Sequence, residues 1–123
     1  MLIFWGALCP LLLLNFALAQ TPQLDKGRRL YLSNCISCHN KDPNLPGSIG
    51  PAIVDAPLEV MRHKILTGVY PNPLPKGFVP KRSSKIMRKI PKLEKDIPDI
   101  YAWVQSVRKN SPKKISPAKA LIP

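Results

Sequence analysis

Cys35-Ile36-Ser37-Cys38-His39 is the stretch on which the reading of this chain turns. Two thiols three residues apart can add to the two vinyl groups of one porphyrin, and the imidazole that follows at once is then held over the iron. One pentapeptide thus supplies attachment and ligation together, so the C-x-x-C-H spacing reads as a covalent c-type haem site. Three other chemistries compete for these residues. A redox dithiol opens a helix in a βαβ setting; here the pair closes a predicted helix and no strand pattern flanks it. A structural zinc wants four ligands. Cys35, Cys38, His39 and His63 reach that number, but the gap between the two histidines does not match zinc-ribbon spacing. A disulfide between Cys35 and Cys38 closes a short, strained ring.

Outward from the motif, Thr21-Pro22 opens a helix, with Thr as N-cap and Pro at the first helical position. Gly27, Tyr31 and Cys35 follow at spacings of four and share one helical stripe. Residues 40–51 (NKDPNLPGSIGP) read as loop from their Pro and Gly content. Asp55 caps a predicted helix over 56–67 with Pro57 in its first turn, Leu58, Met61, Ile65 and Leu66 along its apolar face and Gly68 as its stop. Residues 69–82 are Pro-rich and irregular. Asp96 caps a last helix over 97–108, with Pro98 in the first turn and Ile97, Ile100, Tyr101, Val104 and Val107 on one stripe beside Trp103. No alternating strand pattern and no repeat appears, so the fold class expected is all-α.

The chain has 123 residues, 15 of them proline, and a formal net charge of +12 from 19 Lys+Arg against 7 Asp+Glu. That length allows one domain and excludes an enzyme with separate cofactor and substrate lobes. Residues 1–19 (MLIFWGALCPLLLLNFALA) carry no charge and end in the small-x-small pattern Ala17-Leu18-Ala19, which predicts a signal peptide cleaved before Gln20. They lack a basic start, and an uncleaved anchor is the alternative. Either way the domain, residues 20–109, is expected to be exported and periplasmic, with no stable membrane insertion after cleavage. Residues 110–123 (NSPKKISPAKALIP) read as a disordered basic tail. Apolar residues are thin outside the first segment, so a core of this size gains from a bound apolar body. Nucleic acid is not expected as a partner: export argues against it, and no zinc-finger, helix-turn-helix or aromatic RNA-binding pattern is present. The excess of positive charge suits steering toward an acidic partner.

Over residues 23–108 the sequence resembles the class I c-type cytochromes, the small mono-haem cytochrome c family. The match is carried by Gly27-x-x-x-Tyr31-x-x-x-Cys35, by Cys35, Cys38 and His39, by Gly50-Pro51, and by the run Ala102-Trp103-Val104-Gln105-Ser106-Val107, in which Trp103 stands where the family usually has Tyr. The resemblance implies three to four short helices wrapped around one covalently bound haem c, with Pro-rich loops. Gly27 then permits close crossing by the last helix, Cys35 and Cys38 form the thioethers, His39 is the proximal iron ligand, and the Pro51 carbonyl holds the other nitrogen of that ring. The family's distal ligand is a Met followed by Pro shortly before the last helix. Met87 stands at that place but is followed by Arg88-Lys89-Ile90-Pro91. Met61, on an apolar helix face, reads as core filler, and His63, near the opposite face, as exposed; both remain rivals for the iron.

With both axial positions filled, the function implied is single-electron transfer by Fe(III)/Fe(II) cycling between acidic redox partner proteins, a donor and an acceptor, without catalysis. The alternatives are a haem subunit of a larger periplasmic oxidoreductase and a five-coordinate haem enzyme or sensor. Tyr31, Ile49, Ile53, Leu66 and Val104 are the residues expected against the porphyrin. Lys76, Lys81, Arg82, Lys85, Arg88 and Lys89, around the Met87 loop, are the expected docking cations.

Overall fold

A computed structural model describes residues 21–82 and 86–108. The expected signal peptide 1–19, the tail 110–123 and Lys85 lie outside the described residues, as does the side chain of Thr21 and hence its capping role. Three α-helices form the frame: α1 (Thr21–Asn34), α2 (Leu58–Thr67) and α3 (Ile97–Ser106). A 3-10 turn over Pro91–Asp96 leads directly into α3. The described residues contain no strand, so the architecture is all-α. No helix among them is long and apolar enough to cross a membrane.

The principal helix contact is α1 against α3. It is close because Gly27 has no side chain: a Cβ there would run into the Asp99 carbonyl of α3. One turn on, Tyr31 stacks on Trp103 with ring centroids 5.0 Å apart, so the Gly-x-x-x-Tyr stripe and the aromatic of the last helix do meet. Lys26 closes the solvent side of this crossing, with its ammonium 2.7 Å from both Asp96 and Asp99. The core gathers Tyr31, Met61, Ile65, Leu93, Ile97, Ile100, Trp103 and Val104, so all three helices and the 3-10 turn contribute to it.

Two capping expectations are corrected. α2 begins at Leu58 with Pro57 as its N-cap, not at residue 56 under Asp55. Asp55 instead accepts from Lys81 and Arg108, at 3.0 and 2.8 Å. Asp96 makes no side-chain cap bond to α3, which ends at Ser106 rather than at 108; its carboxylate is taken by Lys26. In both cases an ion pair with a distant cation outcompetes the local backbone N–H. The 3-10 turn was not anticipated from the sequence, although Pro91 is a favourable first residue for it.

Candidate functional site: a cavity between the Cys-x-x-Cys-His turn and two methionines

α1 ends at Asn34, and the chain turns tightly over the motif: the Cys35 N–H donates to the Tyr31 carbonyl, and the His39 N–H donates to the Cys35 carbonyl, both at 2.9 Å. This turn presents Cys35, Cys38 and His39 to a cavity of about 350 Å³. That size falls within the usual range for small-molecule and cofactor sites. The floor is largely apolar, from Tyr31, Ile53, Val60, Ile65, Leu93 and Ile100. Of the residues expected against a porphyrin, Tyr31, Ile49 and Ile53 line this cavity. Leu66 and Val104 do not: Val104 is wholly consumed by the helix core, and Leu66 packs beside it.

Residues 40–54 fold back to hold the histidine. The Tyr31 hydroxyl donates to the Asn40 carbonyl at 2.6 Å. The side chains of Asn40 and Asp42 each accept the N–H two residues on, as turn-forming Asx residues do. The Cys38 carbonyl accepts from Ile49 and Gly50. Gly50 therefore lies flat against the imidazole, and a Cβ there would fall inside the His39 ring. The next residue completes the seat: His39 Nδ1 lies 3.0 Å from the Pro51 carbonyl oxygen. A carbonyl can only accept, so Nδ1 carries the proton and Nε2 carries a lone pair. Nε2 has no hydrogen-bond partner among the described residues. Burial holds the ring below its ordinary pKa; the Pro51 carbonyl opposes that shift and the field of Lys64 adds to it. The result at neutral pH is an uncharged imidazole of fixed tautomer, which is the form that binds metals.

The thiols have a different character. Cys35 is pushed up to about 11, chiefly by burial and then by the nearby Cys38. A thiol so placed is protonated at neutral pH, whereas a redox dithiol needs a depressed pKa to attack. Cys35 and Cys38 are both free. Among the described residues, no three His, Cys, Asp or Glu side chains gather closely enough to cage a metal ion. His63 is not among the cavity's lining residues and is half-buried, with its Nδ1 3.0 Å from the Val69 carbonyl oxygen and from Thr67 Oγ1.

Met61 and Met87 also line the cavity. Met61 projects from α2 and is also a buried core residue. Met87 is placed by the loop: its N–H donates to the Gly68 carbonyl at 2.7 Å, and Ile90 N–H donates to Ile65 O at 2.6 Å. Gly68, with φ +83, ends α2 in the left-handed region and leaves no room for a Cβ against the Met87 carbonyl. The sequence showed Gly68 as a helix stop but gave no sign that the same residue seats the Met87 segment.

Lys64, Lys81 and Arg88 line the cavity, and none of its lining residues is acidic. Lys64 was not singled out from the sequence. Its ammonium donates to the Gly68 carbonyl at 3.3 Å and sits 4.2 Å from the Tyr70 ring centroid. Of the other expected cations, Arg82 donates to the Gly47 carbonyl at 3.1 Å, Lys76 lines a second hollow that shares Phe78 and Lys81 with the cavity, and Lys89 is exposed. No protein-family model matches this chain, and no curated protein or solved structure shows significant similarity to it.

Proposed function

We propose that the chain is an exported mono-haem c-type cytochrome that passes single electrons between redox partners. The observation that carries this reading is the uncharged His39 ring, with its proton fixed on Nδ1 by Pro51 and its Nε2 left open on the same cavity as two free thiols and a thioether. The residues fit the group. Gly50 leaves the ring a slot that a side chain would fill, and Cys35, Cys38 and His39 are a donor set of the right chemistry for covalent attachment and ligation. Cys35 and Cys38 would hold the porphyrin, His39 would bind its iron, and Met87 would offer it a thioether ligand. When bound, haem c supplies a one-electron Fe(III)/Fe(II) couple.

The protein's own residues do the rest. Pro51 keeps the ligand nitrogen unprotonated and its ring oriented. The apolar floor excludes water from the site. Met87 is the better thioether donor because the loop supplies it, whereas Met61 is already committed to the core between α2 and α3. The cationic rim of Lys81 and Arg88, with Lys89 exposed beside it, favours brief encounters with acidic donors and acceptors. Exposed Ile49 and Ile86, also at the cavity, favour a second reading, in which this face is a permanent interface within a larger oxidoreductase.

The test is a redox titration of protein purified from the periplasm. A visible spectrum that converts reversibly between two forms, taking up one electron per chain and not changing on addition of carbon monoxide, supports the carrier. Carbon monoxide binding to the untreated reduced protein contradicts Met87 ligation and points to an open iron. A native species much heavier than the chain favours the subunit reading.

A further inference from the structure

Lys64 occupies an unusual position for a lysine. It is on the cavity-facing side of α2, between the buried Met61 and Ile65, and the residue as a whole is half-buried. Its contacts include the Gly68 carbonyl at 3.3 Å and the face of Tyr70, 4.2 Å from the ring centroid. Tyr70 is braced in turn by Phe78, with ring centroids 5.9 Å apart, and both rings line the cavity. Of the other two cations there, Lys81 is paired with Asp55 and Arg88 is exposed. Lys64 and His39 line the same cavity.

We propose that Lys64 is a positioning residue for charge, one that sets the reduction potential of the iron held by His39. The proposal rests on the haem reading above. When one electron passes from a reduced partner to the iron, the partner is oxidised by one electron and the charge of the site falls by one, with no bond made and no proton moved. A fixed ammonium beside the site therefore favours the reduced form. The effect is large because the group is partly desolvated and anchored, so water screens it less than a surface lysine.

The test compares four haem-loaded proteins by equilibrium titration against a one-electron reference couple: the parent, Lys64→Gln, Lys64→Arg, and Lys95→Gln as an exposed charge off the cavity. Lys64→Gln is expected to shift the equilibrium roughly tenfold toward the oxidised form, or 59 mV for one electron. Lys64→Arg is expected to restore the parent value, and Lys95→Gln to change it less than about twofold. If Lys64→Gln loses its pigment, Lys64→Met, which keeps the apolar stem, is measured in its place. A Lys64→Gln or Lys64→Met potential no different from that of Lys95→Gln overturns the proposal, and so does an arginine variant shifted as far as the glutamine one. Pigmented protein with an unmoved potential defeats only the role of Lys64, while colourless parent protein defeats the haem reading itself.

Discussion

The α1–α3 crossing and the loop that carries Met87 are built on opposite plans. At the crossing, Tyr31, Ile97 and Val104 are 0% exposed, the Tyr31 and Trp103 rings are in contact, and Gly27 lets the backbones touch. Side chains of the chain itself fill that space. On the loop side, Val79 is 74% and Ile86 80% exposed, and the segment after Gly68 is tied to α2 by the backbone bonds of Met87 and Ile90. Its inner face borders the cavity, and Met87 and Ile90 of it also pack against the core. One half of this small domain is closed by its own side chains, and the other borders an open cavity. On the proposed reading, burial of a porphyrin there would contribute what the thin core does not, since stabilisation follows apolar area removed from water.

The largest expected effect comes from removing the anchors of that body. Cys35→Ala/Cys38→Ala purified from the periplasm should retain no covalent pigment. Amide exchange should then be fast over residues 69–82 and markedly slower over α1 and α3, because the two halves differ in what supports them. Equal exchange rates in both halves would break the comparison.

The two methionines divide along the same line. Met61→Ala should cost about 2–5 kcal/mol in denaturant unfolding, as for a buried core side chain, and leave the spectrum near that of the parent. Met87→Ala should cost less and instead abolish any absorption band at the red edge of the ferric spectrum, opening the iron to carbon monoxide. The reverse pattern would exchange their roles. At the crossing, Gly27→Val should destabilise by about 1–3 kcal/mol or more by overpacking, since the obstacle is the Asp99 backbone and not a movable side-chain end. Thermal unfolding reads this directly, and the reduced-form spectrum should be little changed.

The smallest effect is at Asp55, a half-exposed carboxylate between Lys81 and Arg108. The Lys81 hydrogen bond, with burial opposing it, holds Asp55 below the ordinary carboxylate range. A carboxylate with a depressed folded-state pKa stabilises above its unfolded pKa and loses that contribution as pH falls through the folded one. Asp55→Asn should therefore cost about 0.2–1 kcal/mol at neutral pH, and the difference from the parent should vanish in acid. A difference that persists at low pH would show that Asp55 acts by packing rather than by charge.

Much of the helix frame was legible. Gly27, Tyr31, Ile100 and Val104 carry a helical period, and the attachment motif is a contiguous pentapeptide whose chemistry depends on local spacing. The bounds of α2 and α3 were less so, because Asp55 and Asp96 look like caps by type, and only the fold reveals which cation each one meets. The ordered return of residues 40–54 was hidden under its Pro and Gly content. The pattern Asn40-x-Asp42-x-Asn44 was the available sign, since alternate Asx residues bond the N–H two places on. Lys64 had no signal of its own. One charge within an apolar helix face is ordinary in a sequence, and its place on the cavity wall depends on Tyr70 and Gly68, which reach it only after the chain turns.

The most direct test of the central claim, covalent haem fixed by Cys35 and Cys38 with His39 on the iron, is the intact mass of the periplasmic protein after acid-acetone extraction. The account predicts a coloured protein whose mass exceeds that of the processed chain by one haem, with the excess lost in Cys35→Ala/Cys38→Ala. A colourless protein at the mass of the bare chain, or pigment that passes wholly into the acetone, would contradict it.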